Sequence, residues 1–321
     1  MRSSELDYDL PSELIAQHPP GRRDGARLLV AERSSGAIRH RAFSDLPEEI
    51  RGHLTVVNDT RVVPARLQLH RGTGGGVEVL LLEPLGGREW EALTRPTRRL
   101  REGERLSPPD SAAEDGWVEL LEALGDGRWR VRLSGELRGE LPLPPYIHER
   151  PTDPERYQTV YARDPGSAAA PTAGLHFTPE LLARLEHERV TLHVGLDTFR
   201  PLTAEQLEDH ALHGERYRVE PEAWSRIEAA GRVLAVGTTT TRVLETLARG
   251  APLAGRSDLF IRPGFAFRRV DALLTNFHLP RTTLLALVMA FAGVERTREL
   301  YAVAIRERYR FYSFGDAMVV L

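Results

Sequence analysis

The sequence predicts an α/β protein: a mostly parallel, layered α/β domain formed by residues 1–65 and 146–321, interrupted by a small antiparallel β-barrel at residues 66–145. Three observations predict it. Short apolar, β-branched segments alternate with capped helical segments over most of the chain, as expected for strands buried on both faces by crossover helices. Between about Arg66 and Leu133 that pattern gives way to short alternating segments joined by turn residues. The stretch Leu141-Pro-Leu-Pro-Pro-Tyr146 then cannot pair as a central strand and reads as the exit from the second module.

Each element follows from its residues. Segments 54–58, 191–194, 233–236, 259–261, 273–275 and 318–321 are apolar and β-branched, and read as buried parallel strands. Segments 66–70, 77–83, 89–94, 104–107, 117–124 and 128–133 are the barrel strands. Gly86-Gly87 and Gly125-Asp126-Gly127 form hairpin-type turns, which makes this run antiparallel, and about six strands this short close most simply into a barrel. A helix is expected over 179–188, with Thr178 as N-cap and Pro179 at its first position. Thr203-Ala-Glu-Gln206 reads as a capping box opening the next helix. Helices over 221–230, 240–248 and 283–292 are expected to end at Gly231, Gly250 and Gly293, each glycine placed for a left-handed C-cap.

Composition narrows the chemistry. A chain of 321 residues with 41% hydrophobic residues has room for about two domains with real cores. The absence of cysteine excludes disulfides, thiolate zinc sites, iron–sulfur clusters and a cysteine nucleophile. Lysine is absent too, so all 43 basic residues are arginine, and a Walker lysine or a Schiff base is excluded. A formal net charge of −3 confines any nucleic-acid contact to a local patch. The opening MRSSELDYDLP lacks an apolar stretch, and the longest apolar run, 283–294, falls short of the roughly 20 residues of a membrane span, so a cytoplasmic protein with no membrane contact is expected.

Four motifs carry chemistry. Gly237-Thr-Thr-Thr-Thr-Arg242 follows a strand and opens a helix, placing free amides and the hydroxyls of Thr238, Thr239 and Thr240 around an anionic or ribose-like ligand. The alternative is that these threonines bond back to the helix's own carbonyls. Pro171-Thr-Ala-Gly-Leu-His-Phe-Thr178 puts His176 on a small-residue loop, as acid or base or as a satisfied structural histidine. Asp209-His-Ala-Leu-His-Gly-Glu215 brings His210, His213 and Glu215 together; without a distant third ligand this reads as a polar cluster beside a ligand, and no metal site is expected. Asn58-Asp59-Thr60-Arg61 offers a carboxylate beside a guanidinium, either a structural ion pair or a pair that positions a polar substrate. Arginines cluster at Arg95, Arg98, Arg99 and Arg101 and at Arg262, Arg268 and Arg269, the latter near Phe265 and Phe267, which suits phosphate contact and base stacking; in a chain without lysine they also serve as ordinary surface charge.

Eight strings in order along the whole chain resemble the S-adenosylmethionine:tRNA ribosyltransferase-isomerase family. They are NDTRV at Asn58, PLPPYI at Pro142, just after Leu141, RYQTVYA at Arg156, GSAAAPTAGLHFT at Gly166, TLHVGLDTFRPL at Thr191, AVGTTTTRVLE at Ala235, FIRPGFAFRRVDALLTNFHLP at Phe260 and YRFYSFGDAM at Tyr309. The chain departs from that pattern at Asp197, where the family has glycine, and at Leu212 and Gly214, where it has Met and Ser.

The resemblance implies an α/β fold with an inserted β-barrel. It also implies a reaction that moves the ribosyl part of S-adenosylmethionine onto 7-aminomethyl-7-deazaguanine at the tRNA wobble position and isomerises it to an epoxycyclopentanediol, giving epoxyqueuosine with loss of adenine and methionine. No cofactor beyond S-adenosylmethionine as co-substrate and no obligate protein partner are expected. The expected catalytic residues are His176, then Glu215, as base for a carbon acidified by the neighbouring sulfonium. Asp59, Arg61, Thr172, Gly174, His213, Gly237, Thr238, Thr239, Thr240, Asn276 and His278 are expected to hold substrate, and the two arginine clusters to hold tRNA phosphates. The competing classes are a non-catalytic tRNA-binding protein, for which buried histidines and a hydroxyl-rich loop are superfluous, and an S-adenosylmethionine-dependent RNA methyltransferase, for which a glycine-rich loop after the first strand is missing.

Overall fold

In the computed structural model, which describes residues 1–109, 116–135, 137, 139–149, 153–195, 202, 205–210 and 214–321, the chain divides into two compact units. One comprises Met1–Arg61, Pro144–Asp164 and Ala170–Leu321; the other comprises Val62–Leu143 and Pro165–Ala169. The first unit begins with β1 (Arg27–Ala31), β2 (Ile38–Ala42), α1 (Leu46–Glu49) and β3 (Leu54–Asn58), and the chain leaves it along β4 (Thr60–Val62). The second holds β5 (Arg66–Arg71), β6 (Gly76–Gly86), β7 (Glu89–Arg95), β8 (Arg105–Ser107), β9 (Trp117–Gly125) and β10 (Arg128–Ser134). The chain returns along β11 (Asp164–Ser167) to α2 (Pro179–Ala183), β12 (His187–Leu192), β13 (Glu215–Arg218), α3 (Pro221–Ala229), β14 (Val233–Val236) and α4 (Thr238–Leu247). It ends with β15 (Ala254–Ser257), β16 (Ala272–Asn276), α5 (Thr283–Ala292), α6 (Val294–Arg306) and β17 (Ala317–Val320).

The first unit is built on one sheet in the order β15-β13-β12-β3-β14-β16-β17-β1-β2. Its centre, β12-β3-β14-β16, is parallel, and the antiparallel pairs lie toward its margins. β3, β14, β16 and β17 are buried at every residue, the signature of strands covered on both faces. Period-2 alternation sends Val57, Leu234, Val236, Leu274 and Val319 to one face, where Phe43, Phe177, Leu181 and Leu182 cover them. β17 is parallel to β1 and antiparallel to β16, so the terminal strand expected to be parallel is so on one side only.

Four local expectations are corrected. The strand expected at 259–261 is absent; pairing with β13 is made by β15, and the Leu259 carbonyl accepts from Arg242 Nε at 3.1 Å, leaving Ile261 buried but unpaired as a strand. The helix expected over 179–188 stops at Ala183 because the β-branched residues beyond His187 pair with β3. Ala230 turns extended at the end of α3 and Gly231 is not left-handed, whereas Gly250 and Gly293 are, at φ 87° and 93°. Thr203 and Ala204 of the expected capping box lie outside the described residues, and Leu207–Asp209 forms only a 3-10 turn. The N-terminus holds that segment instead: Ser3 N–H donates to the Glu205 carbonyl at 2.8 Å, Leu207 N–H to the Met1 carbonyl at 3.0 Å, and the Met1 ammonium pairs with Glu208 at 3.2 Å.

The second unit is a closed antiparallel barrel in the order β10-β7-β6-β5-β8-β9. Leu67, Leu69, Val79, Leu106, Val118, Leu120, Trp129 and Val131 fill it. The alternate positions of β10 carry arginines paired across the outside, Arg128 with Glu91 at 2.7 Å, Arg130 with Glu122 at 3.0 Å and Arg132 with Glu89 at 2.8 Å.

One buried carboxylate ties a loop of the first unit to its helix. Glu245 in α4 is fully buried and accepts the backbone N–H groups of Arg268 at 3.0 Å, Arg269 at 2.9 Å and Val270 at 3.0 Å, with Arg249 Nη1 at 2.6 Å as counter-ion. Removing it leaves the buried Val270 donor and two half-buried ones unpaired and takes the counter-ion from Arg249. Glu245→Ala is therefore expected to cost about 3 kcal/mol of unfolding free energy, read from urea denaturation; a loss under about 1 kcal/mol would show that the loop and α4 are not coupled through this group.

Candidate functional site

The carboxyl ends of β3, β14 and β16 lie side by side, the position where an open parallel sheet presents its loops to a ligand. At the end of β3, Asn58 is fully buried with its amide saturated. Nδ2 donates to the Leu192 carbonyl at 2.9 Å and to Thr239 Oγ1 at 3.3 Å, while Oδ1 accepts from Leu192 N–H at 3.0 Å and Thr60 N–H at 3.2 Å. One side chain thus joins three segments. After β14, Gly237 takes a left-handed φ of 89°, open to glycine without strain, and donates its N–H to the Leu274 carbonyl at 2.7 Å. The threonines beyond it divide by role. Thr240 and Thr241 bond back to the carbonyls of Val236 and Gly237 at 2.7 and 3.1 Å, Thr239 accepts from Asn58, and the Thr238 hydroxyl has no partner among the described residues.

At the end of β16, Asn276 organises a second polar cluster. Its Oδ1 accepts from Thr172 Oγ1 at 3.0 Å, and its Nδ2 donates to His176 Nε2 at 3.2 Å. Because that nitrogen accepts, the His176 proton sits on Nδ1. His176 is buried against the Phe43 ring, 5.0 Å between centroids, and burial pushes its pKa down to about 4. Two residues on, His278 Nε2 lies 2.7 Å from Thr275 Oγ1, and burial lowers its pKa to about 3. The His278 backbone is clamped from both sides: its N–H donates to the Tyr301 hydroxyl at 3.0 Å and its carbonyl accepts from the Tyr8 hydroxyl.

Two small, open cavities adjoin at this corner, sharing Thr172, Asn276, His278 and Leu284 as walls. The first is completed by Ala170, Pro171, Ala173, Val194, Gly237, Thr238, Thr239 and Thr275. The second is completed by Tyr146, Phe277, Leu279, Thr282, Tyr312 and Ser313, with the Tyr146 and Ser313 hydroxyls 2.7 Å apart.

The structure therefore brings Thr172, Gly237, Thr238, Thr239, Asn276 and His278 to one cleft. Gly174 and Thr240 lie behind it; a Cβ on Gly174 would stand 1.9 Å from the Tyr161 hydroxyl, so this glycine serves packing. His176 also lies behind, its acceptor lone pair held by Asn276, a placement that suits orienting the amide better than taking a proton from a ligand. Glu215 has both oxygens spent, Oε1 on Gly195 N–H at 2.8 Å and Oε2 on the buried Arg242 guanidinium, and it is not a wall of either cavity. His213, Asp197 and Leu212 lie outside the described residues. Asp59 and Arg61 do not pair: Asp59 is fully buried, accepting from Thr191 Oγ1 at 2.7 Å and facing Arg163 Nε at 2.5 Å, and Arg61 pairs with Glu155 at 2.6 Å.

Of the arginines expected to meet RNA, Arg95, Arg98, Arg99 and Arg101 are exposed on the barrel, as is Arg268 on the first unit. Arg262 pairs with Glu208 at 3.5 Å. Arg269 is committed inward, donating to the Ile227 and Ala230 carbonyls at 2.8 and 2.6 Å, which corrects its expected role. Sequence reasoning missed Tyr8 and Tyr301, whose clamp on His278 no local motif signals. It also passed over Tyr146, Tyr312 and Ser313, which stand inside the strings PLPPYI and YRFYSFGDAM.

Comparison with known proteins places this geometry among relatives. A family profile described as "Queuosine biosynthesis protein" matches residues 3–320. The S-adenosylmethionine:tRNA ribosyltransferase-isomerase of Rubrobacter xylanophilus is 55% identical over 332 residues, covering 100% of this chain and 98% of the relative. That of Symbiobacterium thermophilum is 51% identical over 343 residues, covering 100% of both. The crystal structure of S-adenosylmethionine tRNA ribosyltransferase from Thermotoga maritima superposes with a TM-score of 0.57 at 38% identity, covering 99% of this chain and 100% of that one.

The buried histidine makes stability depend on pH. His176 has a pKa of about 4 in the fold against an ordinary 6.5, so between those values the unfolded chain binds the extra proton and stability falls as pH drops from about 6.5 to about 4. The single-site contribution is about 3 kcal/mol. His176→Gln is expected to lessen the slope of urea-denaturation stability against pH across that window, the remainder falling to His278, whose burial acts in the same direction; an unchanged slope would remove His176 as a cause.

Proposed function

The chain belongs to the queuosine biosynthesis protein family, and from that premise we propose that it transfers and isomerises the ribosyl group of S-adenosylmethionine onto 7-aminomethyl-7-deazaguanine at the tRNA wobble position, yielding epoxyqueuosine, adenine and methionine. The full-length identity of 55% to a relative bearing that enzyme's name is the observation that carries the reading.

The cleft supports it chemically. Thr238, its hydroxyl unpartnered among the described residues, and the amides at the start of α4 offer donors and acceptors to ribose hydroxyls. Asn276, oriented by His176 and Thr172, presents a fixed amide from the opposite wall. S-adenosylmethionine is a substrate and needs no further cofactor for this step: its sulfonium already acidifies the 5′ carbon. In this reading the exposed arginines Arg95, Arg98, Arg99, Arg101 and Arg268 hold tRNA phosphates, and the enzyme works in the cytoplasm, where its tRNA substrate resides.

The test is product analysis with tRNA carrying the aminomethyl base and with unmodified tRNA. Free adenine formed only with the first supports the ribosyl transfer; S-adenosylhomocysteine would mark a methyltransferase, and neither product a binding protein. Thr238→Val is expected to weaken S-adenosylmethionine binding by about 0.5–1.5 kcal/mol in calorimetry, with Thr239→Val affecting both ligand and Asn58; unchanged affinity in both variants would return the threonines to helix capping. For the arginines, log affinity for tRNA is expected to fall with log salt, and replacing Arg98 or Arg268 by alanine to lessen that slope by about 0.7–0.9 per contact and weaken all substrate tRNAs alike. A salt-independent affinity would sink the phosphate reading.

A further inference from the structure

We propose that His278 is the proton acceptor of this cleft, taking a hydrogen from the ligand carbon next to the sulfonium; the proposal rests on the reaction read above. Among the described walls of the two cavities, the other side chains are apolar groups, hydroxyls, one amide and two tyrosines. Burial raises the pKa of both phenols, Tyr146 and Tyr312, so they stay protonated near neutrality. His278 is left as the one wall residue with a basic lone pair.

Its geometry fits the task. Nε2 lies 2.7 Å from Thr275 Oγ1, and in the tautomer where Nε2–H donates to that hydroxyl the free pair is on Nδ1. Among the described residues Nδ1 has no partner, and it is not one of the buried unpartnered polar atoms, so it keeps some exposure toward the cavities. The Tyr301 and Tyr8 hydroxyls fix the backbone on either side, which holds the ring against recoil. His176, by contrast, has its acceptor nitrogen filled by Asn276 and forms no wall of either cavity. The step balances: the C5′–H bond breaks, its electron pair stays on C5′ beside the sulfonium as an ylide, and the proton goes to Nδ1, giving imidazolium.

The experiment is single-turnover adenine release from S-adenosylmethionine and aminomethyl-base tRNA, run on the full-length enzyme and on His278→Asn and His278→Ala, with free imidazole added to each. Both variants are expected to bind S-adenosylmethionine within about threefold of the parent and to lose about 10²–10⁴ in rate, and imidazole is expected to restore at least about tenfold to His278→Ala, whose vacated space admits it. A merely structural histidine gives no such rescue. If His278→Ala does not fold, Thr275→Val decides instead: it keeps the imidazole but removes its partner, and is expected to slow release about tenfold at unchanged ligand affinity. A parent rate in His278→Asn or in Thr275→Val, or no recovery by imidazole, overturns the proposal. Absence of adenine from the parent enzyme overturns the ribosyl-transfer reading itself, a separate outcome.

Discussion

A buried amide cannot leave its polar atoms idle, and at the sheet's carboxyl edge that constraint fixes where everything else stands. Asn58 spends all four of its hydrogen-bonding positions on Leu192, Thr60 and Thr239, and so locks the end of β3 to the end of β12 and to the first turn of α4. Asn276 does the same from β16, reaching the Thr172 loop and His176. Two short side chains thereby set the positions of five segments. The cleft is accordingly framed by backbone and by side chains of one or two rotatable bonds, which hold geometry at little entropic cost.

Arginine without lysine gives the rest of the molecule its character. A guanidinium presents several donors in a planar fork, and here the fork is used inward as well as outward. Arg242 caps the Leu259 and Ser257 carbonyls while neutralising Glu215, and Arg269 caps the end of α3. Arg27 spans Asp316 and the Glu307 carbonyl and lies over the Tyr309 ring. On the barrel, arginines and glutamates alternate across β7, β9 and β10 as paired ladders. A count of arginines in the sequence therefore overstates the positive surface open to a polyanion. Of the arginines expected to meet RNA, Arg95, Arg98, Arg99, Arg101 and Arg268 stay exposed.

Legibility tracked the range of the interactions. The barrel strands were readable to within a few residues because alternation and glycine turns are local, and the central strands because burial on both faces leaves unbroken apolar runs. The helix expected over 179–188 ends early for the opposite reason: its helical pattern is real, but β3 pairs with His187–Val190. At the site, residue types were legible and partnerships were not. Asp59 looked like the partner of Arg61, two positions away, yet its guanidinium comes from Arg163, far along the chain. His176 looked like a base because its neighbours are small; the atom that occupies its lone pair belongs to Asn276, 100 residues on. The clamp of Tyr8 on the His278 carbonyl spans 270 positions, beyond any motif.

The chemistry proposed for the cleft gives the lining a physical reason. A sulfonium bound against a carboxylate would be stabilised as a cation, and the acidity it lends to its 5′ carbon would fall with that stabilisation. Among the described walls there is no carboxylate; Glu215 faces the buried Arg242 guanidinium and Asp59 the exposed Arg163, both away from the cavities. Oriented amides and hydroxyls hold the ligand through dipoles instead, leaving its charge to act on its own carbon. The same scarcity of charge keeps His278 neutral, since burial is the one cause acting on its pKa and no anion offsets the cost of an imidazolium there. Low charge in the cleft thus serves two needs at once, an acidic carbon and an unprotonated acceptor. It does so in a chain that has neither cysteine nor lysine with which to meet them otherwise.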